Sequence, residues 1–235
     1  MATRVPYSPE VFAFVTTQLL RQVAHDIRSP AGVVHNALEE LSHEGTPDQQ
    51  EQMKQMAQRG IRRLLRLADR LSMVAELQKD VAYTKEKIDV RSIVESATDH
   101  AASLQSRRTV TLVREFGASA VLSLVDARWL VASVSEVVAN ALRFARSQVR
   151  VRIVPEASFI DIVVEDDGPG FPDGFKVEEP FDERPGVQGL GLSLAVAADV
   201  LVGHGGELLI AKSTLPAFKQ GALGASVTLR LPHAH

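Results

Sequence analysis

The sequence predicts an α+β protein in two parts. An N-terminal helical hairpin (1–82) pairs across a dimer into a four-helix bundle, and a C-terminal α/β sandwich (83–235) follows it. Three observations carry this prediction. In the first third, apolar residues recur in alternating steps of three and four, the spacing of helices that pack along a seam. Beyond it, periods of two and of 3.6 alternate, as expected where strands and helices share one core. The chain of 235 residues, 45% hydrophobic and 23% charged, is long and apolar enough to bury a sizeable core.

The first helix is predicted to begin at Ser8-Pro9-Glu10, with a hydroxyl cap, proline at the first helical position and an acid facing the positive end of the dipole. Leu20, Val23, Ile27, Pro30, Val34, Ala37 and Leu41 form its apolar seam. The pattern breaks at 42–45. Thr46-Pro47-Asp48-Gln49 restarts it, with Gln49 three residues after Thr46 as in a capping box. Ala57, Ile61, Leu64, Ala68, Leu71 and Ala75 line the second helix, and Leu65, Leu67 and Val74 widen its face. A hairpin this apolar cannot cover itself, which predicts a homodimer. Residues 78–87 are polar and read as a linker. Strand-like runs follow at 110–114, 121–125, 149–154, 159–164, 207–210 and 226–231, and helix-like runs at 90–105, 129–145 and 192–202. Together they predict a mixed sheet with helices on one face.

Composition excludes several classes. There is no cysteine, hence no disulfide, thiol catalysis or cysteine–zinc site. A net charge of −3 argues against bulk nucleic-acid binding. No uncharged apolar stretch reaches the roughly 18–20 residues that span a bilayer, and the N-terminus lacks the pattern of a signal peptide. The expectation is a cytoplasmic protein, or the cytoplasmic part of a longer one. His35, His43, His100, His204, His233 and His235 show no paired ligand spacing, so no zinc site is expected.

Three groups of residues are chemically suggestive. His25 occupies the helix position farthest from the seam, beside Asp26, and shares its face with Ser29. Pro30 interrupts the helical hydrogen bonds just after them. Periodicity leaves two readings open, a surface histidine beside a tolerated kink or a reactive histidine that uses the bend. Glu136 and Asn140 lie one turn apart on one helix face, followed by Arg143 and Phe144. A carboxylate, an amide, a cation and an aromatic there suit magnesium, phosphate and a base, above an apolar face of Val134, Val137, Val138 and Leu142. The third group is glycine-rich. A strand runs into Asp166-Asp167-Gly168-Pro169-Gly170, where an acid at the strand end can accept from an exocyclic amine and glycines let a ligand approach. Gly189-Leu190-Gly191-Leu192 then opens a helix, whose N-terminal amides favour phosphate. Structural turns also use such glycines. Neither segment fits the Rossmann or Walker patterns.

In order and spacing, His25-Asp26-Ile27-Arg28-Ser29-Pro30, Asn140-Ala141-Leu142-Arg143-Phe144, Asp166-Asp167-Gly168-Pro169-Gly170 and Gly189-Leu190-Gly191-Leu192 resemble the catalytic core of two-component sensor histidine kinases. The resemblance runs from about Glu10 to Pro232. It implies a dimerisation and phosphotransfer hairpin followed by an ATP-binding domain of the Bergerat type. Residue by residue it implies that His25 accepts the phosphoryl group, that Asp26 orients or deprotonates it, and that Ser29 acts in dephosphorylating the partner. Asn140 would bind magnesium, with Glu136 beside it. Arg143 would lie near the phosphates and Phe144 by the adenine. Asp166 would read the adenine amine, with Gly168 and Gly170 in its loop and Gly189 and Gly191 on the phosphate side. Ser226 would reach adenine through water. The implied cofactors are ATP and Mg2+, and the implied partner is a response-regulator receiver domain.

The chain departs from the family pattern at Val187, which stands where many such kinases have a glycine, with Gly186 one residue early. Its 172–188 lid segment, with Phe181, is short. The resemblance leaves no room for a sensor domain ahead of Ser8 or a receiver domain after Pro232 in this sequence, and the expectation is that the input signal is missing or comes from another polypeptide. Arg59, Arg62, Arg63, Arg66 and Arg70 line one side of the second helix, as a solvated face or as a docking surface for an acidic partner. Two rival readings are a histidine phosphotransferase that no longer uses ATP and a serine kinase of the anti-sigma type.

Overall fold

The computed structural model describes residues 9–43, 45–77, 82–103, 110–172, 174–175, 177, 192–216 and 223–234. The chain separates into two compact units, with a break near the end of the second helix, between Met73 and Val74.

The helical unit consists of α1 (Pro9–Leu41) and α2 (Pro47–Leu77). Proline takes the first position of both helices, where its missing N–H costs nothing; Ser8 lies outside the described residues. The capping box forms as the spacing predicts: Thr46 N–H donates to Gln49 Oε1 at 2.9 Å, and Gln49 N–H returns to Thr46 Oγ1 at 3.3 Å. Pro30 lies inside α1 and is buried.

Of the expected apolar face of α2, Ala57 and Leu67 are buried and Leu64 and Leu71 half-buried, whereas Ile61 and Leu65 are 46% and 60% exposed, and Ala68 and Ala75 are also exposed. The seam within the hairpin also includes Gly60, which is buried. A Cβ there would stand 2.5 Å from Val34 Cγ2 and 3.0 Å from the Pro30 carbonyl oxygen, so the seam closes on a residue with no side chain. Ile27, Val33 and Leu38 of α1 are exposed as well.

In the second unit, β1 (Glu86–Asp89) pairs antiparallel with β3 (Leu122–Val125) in a separate two-stranded sheet. Strand β1 corrects the expected linker, which ran through Lys87. With four residues and two exposed charges, it has too little alternation to register as a strand. The main sheet has the order β2-β4-β5-β7-β6, from β2 (Thr111–Glu115), β4 (Gln148–Pro155), β5 (Phe159–Asp166), β6 (Glu207–Lys212) and β7 (Ala225–Pro232). Only β2 and β4 run parallel, so the sheet is mixed, as expected.

Three helices accompany the sheet: α3 (Val90–Ser103), α4 (Ala127–Phe144) and α5 (Leu192–Gly203). Strand alternation turns Val149, Val151, Ile160, Ile162, Leu229 and Leu231 into one core with Val94, Leu130, Val134 and Leu201 of the helices. Burying each such side chain stabilises the fold by roughly 1.5–3 kcal/mol.

Tyr83 and Thr84, ahead of β1, are anchored at the start of α4. Asp126 caps α4 by accepting from Arg128 N–H at 3.1 Å, and its other oxygen accepts from Thr84 N–H at 3.0 Å. Tyr83 packs its ring 4.5 Å from buried His204 and edge-on to Trp129. His204 Nε2 accepts from Asp126 N–H at 2.9 Å, while Nδ1 lies 2.7 Å from the Val200 carbonyl. This arrangement fixes a neutral ring protonated at Nδ1. Burial lowers its pKa, against the upward pull of Val200.

Candidate functional site

The site assembles where α4 ends and β5 runs out. Helix α4 turns Val134, Val137, Val138 and Leu142 into the core. This leaves Glu136 and Asn140, one turn apart, half-buried on another face. Glu136 Oε2 accepts from Ser193 Oγ in the first turn of α5 at 2.9 Å, a contact that ties the two helices together. A carboxylate and an amide oxygen are donors that suit a small hard cation, whose remaining positions substrate oxygens and water can fill. At the end of the helix the Arg143 guanidinium lies 4.9 Å from the centre of the Phe144 ring.

Asp167 then fixes the turn into β4. Its carboxylate accepts from the N–H groups of Arg146 at 2.8 Å and Ser147 at 3.0 Å, and from the Ser147 hydroxyl at 2.5 Å. Burial raises its pKa, but these donors outweigh burial and hold it below the usual carboxylate value. Asp167 is not among the site residues expected from the sequence. The signal for one is an acid immediately after a strand, with a serine in a nearby turn left to pair.

Asp166, beside it, is 4% exposed. Its Oδ1 accepts from Gly168 N–H at 2.7 Å and from Ala225 N–H at 3.4 Å. Burial, reinforced by the charge of Asp167, pushes the carboxyl up to about 6 despite these two donors. Among the described residues nothing donates to Oδ2, which leaves an acceptor for an incoming amine. The backbone closes tightly around this carboxylate. A Cβ on Gly168 would stand 2.5 Å from the Phe144 carbonyl oxygen, and one on Gly224 would overlap the Asp166 carbonyl oxygen. Gly170 adopts a φ of +76°, a conformation that favours glycine.

The structure therefore brings Asp166, Gly168, Gly170, Phe144 and Arg143 into one neighbourhood at the end of α4, with Asn140 and Glu136 one to two turns back. Gly189 and Gly191 lie outside the described residues, as do Phe181, Gly186 and Val187. Ser226 is a correction. It pairs with Glu165, so its side chain lies on the sheet face opposite Asp166, and Ala225 takes the place beside Asp166. In the helical unit, His25 is 73% exposed and its Nδ1 lies 3.3 Å from Oδ1 of Asp26, which is 17% exposed. Ser29 is exposed one turn on.

Residues 125–235 match the family described as histidine kinase-, DNA gyrase B-, and HSP90-like ATPase. Over a longer span the chain resembles the catalytic core of two-component sensor histidine kinases. It is 28% identical to the two-component sensor PhoQ of Pseudomonas aeruginosa over 202 residues, which cover 83% of this chain and 43% of PhoQ. It is also 28% identical to the sensor-type histidine kinase PrrB of Mycobacterium tuberculosis over 222 residues, which cover 89% of this chain and 46% of PrrB. The chain thus spans less than half the length of these relatives. A solved structure of the histidine kinase AdeS of Acinetobacter baumannii matches with a TM-score of 0.62 at 16% identity, covering 90% of this chain and 98% of AdeS. That likeness is one of fold. No helix among the described residues is long and apolar enough to cross a membrane.

Proposed function

We propose that this chain is an ATP-dependent histidine autokinase that phosphorylates His25 and passes the phosphoryl group to an aspartate of a response-regulator receiver domain. One observation carries the reading. In an ATPase domain, Asp166 keeps one carboxylate oxygen engaged by two backbone N–H groups and leaves the other open beside a close-packed glycine turn. Such an oxygen suits the amino group of adenine.

The remaining roles follow from chemistry. Phe144 offers an apolar surface to the base, and Arg143 a positive charge to the phosphates. Asn140, with Glu136 beside it, would hold Mg2+, which when bound neutralises charge on the transferring phosphoryl group. His25 is exposed, as a nucleophile that must meet a large substrate has to be. With the Nδ1 proton turned to Asp26, the Nε2 lone pair is free to attack the γ-phosphorus as ADP leaves. Transfer to a receiver aspartate then breaks the P–N bond and restores the imidazole. Ser29, on the same face, would take part in dephosphorylating the regulator, where water attacks the phospho-aspartate and inorganic phosphate leaves.

The helical hairpin acts as a homodimer through the apolar residues it leaves exposed, and the functional boundary falls at about residue 82, ahead of the Tyr83 anchor. The test is Asn140→Ala. Autophosphorylation in Mg2+ and ATP is expected to disappear, while sedimentation stays that of the dimer. A fully active Asn140→Ala protein overturns the assignment of the metal side of the site.

A further inference from the structure

Glu165 precedes Asp166 on β5, and its side chain therefore points to the opposite face of the sheet. It is a carboxylate only 1% exposed. Burial alone pushes its pKa up, but the groups around it reverse this and hold it below the usual range. Oε2 accepts from Arg150 Nη2 at 2.7 Å and Nε at 3.2 Å, and from Arg152 Nη2 at 3.0 Å. Oε1 accepts from both the N–H and the hydroxyl of Thr214, each at 2.8 Å. The Thr214 hydroxyl in turn accepts from Arg150 Nη2 at 2.6 Å.

These contacts lead back to the site. Thr214 lies just after β6, and its neighbour Ser213 donates its N–H to the Gly224 carbonyl at 2.8 Å. Gly224 packs against the Asp166 backbone so closely that no side chain fits. The next residue, Ala225, supplies the 3.4 Å N–H donor to Asp166 Oδ1. A closed circuit therefore runs from Glu165 through Thr214, Ser213, Gly224 and Ala225 to Asp166. By contrast, Asp161 and Arg230 form a bidentate pair, both contacts 2.8 Å, on the same sheet face but outside this circuit.

We propose that Glu165 is a positioning residue for Asp166: from the back of β5 it holds residues 213–214, and through Gly224 it keeps the Ala225 N–H on Oδ1 so that Oδ2 faces the adenine amine. The proposal rests on the reading of Asp166 as the group that recognises adenine. It is specific to base recognition, so it is tested by comparing ATP with ITP, which carries a carbonyl in place of the 6-amino group.

Binding of ATP and ITP to the full chain is measured by calorimetry in Mg2+ for wild type, Glu165→Gln, Thr214→Val and, as a control, Asp161→Asn. Wild type is expected to prefer ATP. Glu165→Gln is expected to lose about fivefold in ATP affinity while ITP affinity changes little, the size of effect one misplaced hydrogen bond produces. Thr214→Val is exposed and near-isosteric, and decides the matter if Glu165→Gln fails to fold; it is expected to lose about two- to threefold in the same direction. Asp161→Asn is expected to keep the wild-type ratio. Equal wild-type affinity for ATP and ITP overturns the Asp166 reading itself. A wild-type preference for ATP that survives in Glu165→Gln, or in Thr214→Val should the former not fold, overturns the positioning role alone.

Discussion

Asp166 is held where its ionised form is disfavoured, and this has consequences at the scale of one residue. Its carboxyl moves from an ordinary 3.8 up to about 6 because burial outweighs the bonds from Gly168 and Ala225. A raised acid pKa makes the proton bind more tightly in the folded state. The resulting stability is full below about pH 4 and is lost as pH rises through about 6, a cost on the order of 3 kcal/mol at neutral pH. Asp166→Asn is therefore expected to melt at higher temperature than wild type at about pH 8, with the gap closing toward about pH 4. It should also bind ATP no better than ITP. In wild type, ATP affinity should fall as pH drops through about 6, where the acceptor is protonated. A melting advantage that is the same at both pH values contradicts this account.

The place of Asp166 was legible in the sequence because a strand-like run ends in Asp-x-Gly-x-Gly, a pattern that specifies an acid at a strand end and a close turn. The face of Ser226 was not. Side chains alternate along β7, and one residue of register decides which of Ala225 and Ser226 meets Asp166. Glu165 was illegible for a different reason. Its partners Arg150, Arg152 and Thr214 stand 13 to 49 positions away, and a buried ion cluster leaves no local periodicity.

At the scale of elements, the site depends on how closely backbones approach. The turn before β7 passes so near the end of β5 that Gly224 admits no Cβ, and the atoms it would meet belong to the Asp166 and Asp167 backbone. Backbone cannot rotate away as a side chain can. Gly224→Ala is expected to destabilise the ATPase domain by about 1–3 kcal/mol and to weaken nucleotide binding, both measurable by thermal melting with and without ATP. Unchanged melting and binding would remove Gly224 from the account. Helix starts were read well from Thr46 and Pro47, where capping chemistry is local. The Asp126 cap was not foreseen, although its role is equally local, because the apolar pattern of α4 begins later, at Trp129. Gly60 was not legible as part of the α2 seam, because it contributes closeness rather than hydrophobicity to a helix pair.

At the scale of the whole molecule, two compact units divide the labour. The helical unit carries His25 and leaves Ile27, Val33, Leu38, Ile61 and Leu65 between 40% and 60% exposed. A second copy of the hairpin would cover them. Replacing Ile61 and Leu65 together by Glu is expected to shift sedimentation from dimer to monomer while helicity is retained. A dimer that persists would place the interface elsewhere. The second unit carries Asp166 and Asn140. The fold class was legible because each unit has its own period, while the strand β1 that joins the small sheet was too short to announce itself.

In the proposed function, ATP bound at the Asp166 site gives its γ-phosphoryl group to His25. The most direct measurement is incubation of the purified chain with Mg2+ and γ-labelled ATP beside a His25→Ala variant. The account predicts label on wild type alone, lost in acid and kept in base, as a phosphorus–nitrogen bond requires. Label that survives acid, or that persists in His25→Ala, would contradict it.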